Sequence, residues 1–567
     1  MNLCLPFVFL AICAQFSCDS KSKADEADII DDGDLNEVYE AVSVLNKSQT
    51  FSENVVVTLS HDNEDVGIYF TLDGSVPSKA TGIPYLEPIV IDQTSELRTA
   101  AVFSDGIEVV DSQNYIKVSN DLVDYQSTVP IVIIDNFSAG DVPDKEWTTM
   151  TQTGAGLQQQ ARQFSVMQIY QNEGSSSQIS GEAKEELRLG IRVRGAFSST
   201  WDPQPFSFEV KSEASDEDAT MSLLGMPEDS DWILYHPFPQ FDKTMLFNTF
   251  IWELAAQTGR FAPEYKFVEV FLNKDGGAVG MEDRLGVYAL LEKVKRSPER
   301  IAIDELSADG QSGGFLLAIN RMDAIPVGGF PAENGAMSPQ FFHTPGPDGV
   351  LETPPNEPSV GDDIPRQVNG FINFESPNGY KITPTQRGAI EKWFADFEAV
   401  LYDDSKWLDP VEGYRAQLNV RDFIDYFLLL NLAQQGDGLL ISMFPWVSNP
   451  PRVLHMGALW DFNNNAYRDN FDGNLLLRPD RLWYGRLFED PTFEMEFLAR
   501  WFELREDILS DQNMDKIVDD QAATIGQDLA TRQGLDPVEW MTRLDAMKNN
   551  LKARANWLDG EFLNPLP

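Results

Sequence analysis

Between residues 50 and 118 the apolar positions come in short β-branched runs, NVVVTLS, VGIYFTLDG, PIVI and ELRTAAVF, each cut off by turn residues. Runs of that length and spacing predict a small all-β sandwich. Within it, LDGSVP (Leu72 to Pro77) is a turn with a mechanism: Asp73–Gly74 supplies positive φ and Pro77 closes the loop. From residue 126 the pattern changes. VPIVIIDNF opens as a buried strand, RLGIRVRGAFSS and PFSFEV read as adjacent strands, and YKFVEVFLNKDGG with LGVYALLEKV reads as strand, turn and strand. FDKTMLFNTFIWELAAQTG carries Met245, Phe250, Leu254 and Ala255 at helical spacing and stops at Gly259. Residues 330–370 are rich in Gly and Pro and predict a long excursion loop. Beyond them helical periodicity dominates, in TPTQRGAIEKWFADFEAVLY, VRDFIDYFLLLNLAQQG, TFEMEFLARWFELREDIL and PVEWMTRLDAMKNNLKARANWLDG.

Composition narrows the partners. Apolar content is 42% and aromatic content 11%, ordinary for a globular chain. Acidic residues outnumber basic ones 90 to 43, for a formal charge of -47. That surface repels nucleic acid and anionic lipid and suits a salty or extracellular setting. The four histidines, His61, His236, His343 and His455, are scattered with no HExxH pair, which argues against a zinc enzyme. The three cysteines, Cys4, Cys13 and Cys18, all lie at the N-terminus, so disulfides and thiol catalysis are excluded. LCLPFVFLAICA is too short for a comfortable membrane span and reads as a signal h-region within residues 1–18. Cys18 is then the lipidated first residue of a bacterial lipoprotein, with plain secretion as the alternative. Residues 19–45 form an acidic tether.

The candidate chemistry lies in GALWDFNNNAYRDNFDG, residues 457–473. A hydrophobic, strand-like run ends there in Asp461, Asn463, Asn465, Asp469 and Asp472. Three readings stand: a solvated loop, a calcium loop, or the metal arm of a phosphoryl-transfer site. The spacing mimics an EF-hand, but Ala466 stands where the turn needs Gly, Asp472 replaces the final Glu, and a strand precedes the loop. No P-loop, HRD or DFG motif is present, so an ordinary NTPase or protein kinase is not supported.

Two resemblances add to this. GIYFTLDGSVPS through YLEPIVIDQTSELRTAAVFSDG resembles the C-terminal β-sandwich module of chitobiases and hexosaminidases, over residues 46–120. It implies an accessory spacer with a weak carbohydrate contact and no catalysis. GIRVRGAFSS, DWILYHPFPQFDKTMLFNTFIWELAAQTGRFAPEYKFVEVFLN, GVYALLEKVKRSPERIAI, GGFLLAINRMD, FIDYFLLLNLAQQGDGLLIS and LHMGALWDFNNNAY resemble, in order, the spore-coat protein H (CotH) kinases over residues 126–567. The fold class implied is a multidomain one: the β-sandwich, then an α/β (α+β) atypical protein-kinase-like domain with a helical C-terminal half. The activity implied is that of an exported atypical kinase moving phosphate from Mg-ATP to Ser/Thr of surface or coat proteins, with ATP and Mg2+ as cofactors.

The resemblance also distributes roles. Asp461, at the end of a rigid strand, suits a Mg2+ ligand, and Asn463 would lie on the same side if the backbone stays extended. Asp437, between two glycines after an apolar helix, is a second acid, as metal ligand or as acceptor of the substrate proton. Arg194 would fork onto phosphates, and Lys243 with the Glu292–Lys293 pair resembles the cationic and orienting elements of a nucleotide cleft. Each has a plainer reading as a turn, cap or surface charge. Two family cations are missing, at Gln204 and Phe247, which keeps open a catalytically inactive surface scaffold or adhesin.

Overall fold

The computed structural model describes residues 39–144, 147–149, 158–171, 176–179, 183–195, 198–319, 341–342, 344–346, 372–379, 381–463, 466–467, 476–477 and 482–563. The expected leader with Cys18, most of the acidic tether and most of the Gly/Pro-rich excursion lie outside the described residues.

The N-terminal strands are β1 Ser43–Leu45, β2 Gln49–Phe51, β3 Val55–Ser60, β4 Gly67–Thr71, β5 Ile83–Pro84, β6 Ile89–Ile91, β7 Ser95–Val102 and β8 Glu108–Lys117. They form two sheets, ordered β1-β3-β6 and β2-β8-β7-β4-β5. Alternation drives the packing: Val55, Val57 and Leu59 face a core shared with Phe70, Leu97 and Ala101 of the other sheet. Strand β7 departs from this pattern, being buried on both faces apart from Val102. Its second face, with Glu96 and Arg98, is covered by the next unit.

That unit is a closed seven-stranded barrel. Its strands are β9 Ile131–Asp135, β10 Gln163–Tyr170, β11 Glu185–Val193, β12 Phe206–Lys211, β13 Asp231–Tyr235, β14 Tyr265–Asn273 and β15 Arg284–Glu292. The order is β9-β10-β11-β12-β13-β15-β14, and parallel pairing of β9 with β14 closes the ring. The interior is filled by Ile134, Met167, Leu189, Phe208, Leu234, Val270 and Tyr288, among others. Ile233, Tyr235, Phe267, Val287, Ala289 and Leu291 face outward into the helical core instead. Burial on both faces explains why these strands read as nearly continuous apolar runs.

The sandwich meets the barrel through an apolar cluster of Ile116 with Ile131, Ile133 and Phe271, and through buried polar groups. Arg188 Nε lies 2.8 Å from Glu96, Arg98 donates to Glu213 O (2.7 Å), Ser48 to Glu186 (2.7 Å) and Gln168 to Asn114 O (2.7 Å). The expected spacer is thus packed against the barrel, with Glu96 and Arg98 both fully buried.

Helix α1 (Phe247–Gln257) leaves the barrel and buries Phe250, Ile251, Trp252, Leu254 and Ala255. The C-terminal half holds α2 Pro384–Leu401, α3 Val420–Ala433, α4 Tyr484–Leu487, α5 Pro491–Glu506, α6 Asp511–Arg532 and α7 Pro537–Glu561. Their starts are locally encoded: Thr383, Asn419, Asp490, Ser510 and Asp536 each accept a backbone N–H of the first turn. A small sheet sits beside them, with β16 Phe315–Ile319, β17 Phe341–Phe342, β18 Ile372–Ser376, β19 Trp446–Val447 and β20 Leu454–His455 in the order β17-β18-β16-β19-β20. Strands and helices are segregated, so the arrangement is α+β rather than interleaved α/β. The sequence reading did not single out α6, whose apolar stripe is thin and is interrupted by Gly526 at φ 75°. Among the described residues, no helix is long and apolar enough to cross a membrane.

His236, just after β13, joins the halves. It is fully buried, and Gln533 Nε2 donates to its Nε2 (2.8 Å) while Gln533 Oε1 accepts from Val287 N (2.8 Å). Burial pushes His236 down to about 3, so it folds neutral. A lowered folded value gives stability that is present above the unfolded value near 6.5 and is lost as pH falls toward 3. Urea midpoints at pH 7.5 and 4.5 should show the parent losing about 3 kcal/mol more than His236→Gln, from two pH units at about 1.4 kcal/mol each. Equal losses would sink this assignment.

Candidate active site

The segment Met456–Asp461 precedes the acidic loop. The sequence predicts a strand there, and this is corrected: β20 is only Leu454–His455, and residues 456–460 join no ladder. Their carbonyls are taken by side chains instead. Trp252 Nε1 of α1 donates to Leu459 O (2.9 Å). Arg260, just past α1, donates to Met456 O and to Gly457 O (3.2 Å). Asn248 of α1, buried, accepts from Phe462 N (2.9 Å) and donates to the Tyr235 hydroxyl (2.7 Å). The segment is therefore hung between helix and barrel rather than hydrogen-bonded into a sheet.

Asp461 follows with φ 67°, a left-handed conformation unusual for an L residue. It is exposed, whereas Asn463 is buried. The expectation that an extended backbone puts Asn463 beside Asp461 is thus corrected, because the chain turns at Asp461. Ser442 Oγ donates to Asp461 Oδ2 (3.1 Å), and Gln435 Nε2 donates to Asp461 O (2.8 Å).

Asp437 comes from a different element. Helix α3 ends in a Schellman motif, with Gln435 N–H on Leu430 O (3.0 Å) and Gln434 N–H on Asn431 O (3.3 Å), and Gln434 left-handed at φ 54°. Buried Gln435 then turns its side chain back, and its Oε1 accepts from Asp437 N (3.1 Å). One amide thereby links the main chain of both predicted acids. Asp437 opens a single 3₁₀ turn, Asp437–Leu439, half-exposed and firmly held.

Arg194 joins them. Its guanidinium lies over the Trp460 ring, 5.1 Å from the centroid. Gly195, at φ 93°, turns the chain where a Cβ would collide with Ser198 Oγ. Tyr235 reports the convergence. Burial raises its hydroxyl well above the ordinary value, the charges of Asp242 and Asp461 add to this, and Arg194 opposes it.

The other predicted residues lie elsewhere. Lys243 is exposed and pairs with Glu539 at the start of α7 (3.0 Å). Glu292 is paired with Trp232 across β13 and β15, three residues along from the Ala289–Tyr235 pair, roughly 10 Å away. Burial raises the Glu292 carboxyl, and Arg300 lies 3.4 Å from it. Lys293 pairs with Asp231 (3.1 Å) in the same network. Glu292 and Lys293 thus belong to an ion-pair cluster around Trp232.

Sequence reasoning missed Asp242, Asn248, Gln435 and Ser442. Asp242 is fully buried and accepts from Thr244 N, Met245 N and Phe247 N at 2.8–3.0 Å, which sets the start of α1. Burial nonetheless pushes it up to about 6. The Asp-x-Thr spelling before a helix was the available signal. At the positions of the two missing cations, Gln204 donates to Ser199 O (2.9 Å), and the Phe247 ring packs on Tyr467 (4.8 Å between centroids).

Among the described residues, no three His, Cys, Asp or Glu side chains gather to hold a metal by themselves. Asp461 and Asp437 are hard oxygen donors. They suit an ion such as Mg2+, which takes one or two carboxylates and draws its remaining ligands from phosphates and water. Asn465, Asp469 and Asp472, needed for the calcium reading, lie outside the described residues.

A family model described as CotH kinase protein matches residues 191–340 and 372–558, more than half of the chain. A second, described as chitobiase/beta-hexosaminidase C-terminal domain, matches residues 46–110. No curated protein matches the chain.

Gly457 tests the hung segment, because a Cβ there would overlap the Phe444 carbonyl. Gly457→Ala should cost about 1–3 kcal/mol or more in urea unfolding. Gly388→Ala, on an open face of α2 with nothing within 4 Å, should gain up to about 1 kcal/mol. A neutral Gly457→Ala would contradict the tight packing.

Proposed function

Because the chain belongs to the CotH kinase protein family, we propose that it is an exported atypical protein kinase, moving phosphate from Mg-ATP to Ser/Thr of surface or coat proteins. The family carries a kinase-like function and suggests ATP use. The observation that supports the finer reading is the joining of Asp437 and Asp461 by one buried amide, with Arg194 held over Trp460 beside them.

Phosphoryl transfer asks the protein chiefly to position its reactants and to neutralise phosphate charge. Bound Mg2+ would supply much of that neutralisation. Asp461, exposed and oriented by Ser442, is the carboxylate best suited to hold the ion. Asp437 would share it or accept the proton of the acceptor hydroxyl. Arg194 offers a planar fork to phosphate oxygens, with Gly195 leaving room for close approach. On this reading the chain leaves the cell under its N-terminal leader and is tethered at Cys18, and the sandwich offers a carbohydrate contact.

One observation favours a second reading, a catalytically inactive scaffold or adhesin. Gln204 is committed to Ser199 O and Phe247 to Tyr467, where the family has cations. Thermal unfolding separates the two. Millimolar Mg-ATP should raise the melting temperature of the parent, by about 2.7 kcal/mol of added stability at a hundred times Kd. Asp461→Asn should keep the ligand-free melting temperature and lose phosphate transfer by about two orders of magnitude or more. No shift with Mg-ATP would remove the kinase reading and leave the scaffold.

A further inference from the structure

We infer that Gln435 is a positioning residue that locks Asp437 and Asp461 into one rigid pair, an inference that rests on the kinase reading above. The two acids come from separate segments, a 3₁₀ turn after α3 and the loop after Trp460. Asp461 sits in left-handed backbone and is exposed, so the loop does not fix itself. Gln435 closes the gap with both ends of one amide, accepting from Asp437 N at 3.1 Å and donating to Asp461 O at 2.8 Å. Its own place is set by the Schellman end of α3, whose N–H to Leu430 O bond puts Gln435 immediately beyond the left-handed Gln434.

The residue type follows from the geometry. Gln435 is 1% exposed, so its polar ends have to find partners inside the protein. A carboxamide accepts at one end and donates at the other without adding charge. Ser442 contributes separately, through the Asp461 side chain. The division is thus one of backbone register by Gln435 and carboxylate orientation by Ser442.

The experiment uses the full chain with two substitutions. Gln435→Met keeps length and loses both bonds. Gln435→Glu keeps an acceptor for Asp437 N. In ligand-free hydrogen exchange, Gln435→Met should release the amides of the 437–441 turn and of the 461–462 peptide together, by about tenfold or more. The Mg2+ concentration giving half of the ATP-induced thermal shift should rise about 10–100-fold, and kcat should fall by a similar factor with KM for ATP changing less. Gln435→Glu should keep the 437–441 amides better protected than Gln435→Met does. Unchanged exchange and Mg2+ dependence in Gln435→Met would overturn the inference, as would equal release of the 437–441 amides in both variants. If the parent itself gives no Mg-ATP shift, the kinase reading falls, while the exchange data still decide whether Gln435 couples the two loops.

Discussion

A stretch of backbone buried outside any sheet has to find partners for its polar groups, and in this chain that requirement organises the site. Met456 to Trp460 run between the barrel and the helices without a ladder. Trp252, Arg260 and Asn248, all on or just past α1, take up the free groups. An acidic loop launched from a sheet edge would inherit the sheet's rigidity. Here rigidity comes from side chains of a helix, and the orientation of α1 is in turn set by Asp242 gripping its first amides. The loop geometry is therefore a consequence of helix placement.

The same economy recurs at the contacts between units. The joints hold buried polar groups among apolar ones: Gln533 on His236 between barrel and helices, and Arg188 on Glu96 between sandwich and barrel. Such joints are directional where apolar contacts are not, and they are intolerant of losing one partner. Against a formal charge of -47, some of the arginines are buried beside carboxylates. Arg98, Arg188 and Arg300 are all buried, each next to a carboxylate.

Much of the architecture was readable from spacing. The short runs of the sandwich, the adjacent strands at Leu187 and Phe206, and the capped helices at Thr383 and Asn419 are local encodings, and they fold as written. What was not readable is long-range. WDFN looks like a strand end because Ala458, Leu459 and Trp460 are apolar, yet their burial comes from α1 and not from sheet neighbours. Helix α6 lacks a strong stripe because its partners, α1 and α7, cover it from two sides. Asp437, Asp461 and Arg194 were recognisable as acids and a cation in suggestive settings. Gln435 carried no such signal, since a glutamine after a helix reads as a solvated end until its two partners, Asp437 and Asp461, are seen together. Lys243 and Glu292 border the same motifs, but their present partners, Glu539 and Arg300, come from distant or later segments that the motifs do not specify.

The parallel pairing of β9 with β14 has a consequence for where this protein can be divided. The kinase-family match begins at residue 191, inside β11, so two whole staves of the barrel and most of a third lie upstream of it. A fragment cut at that border would have a ring opened on both sides, exposing the pairing edges of β12 and β14 to any neighbouring chain. The working module is accordingly larger than the stretch that advertises it: its lineage is written from residue 191 onward, and the closure of its ring also needs strands before that point.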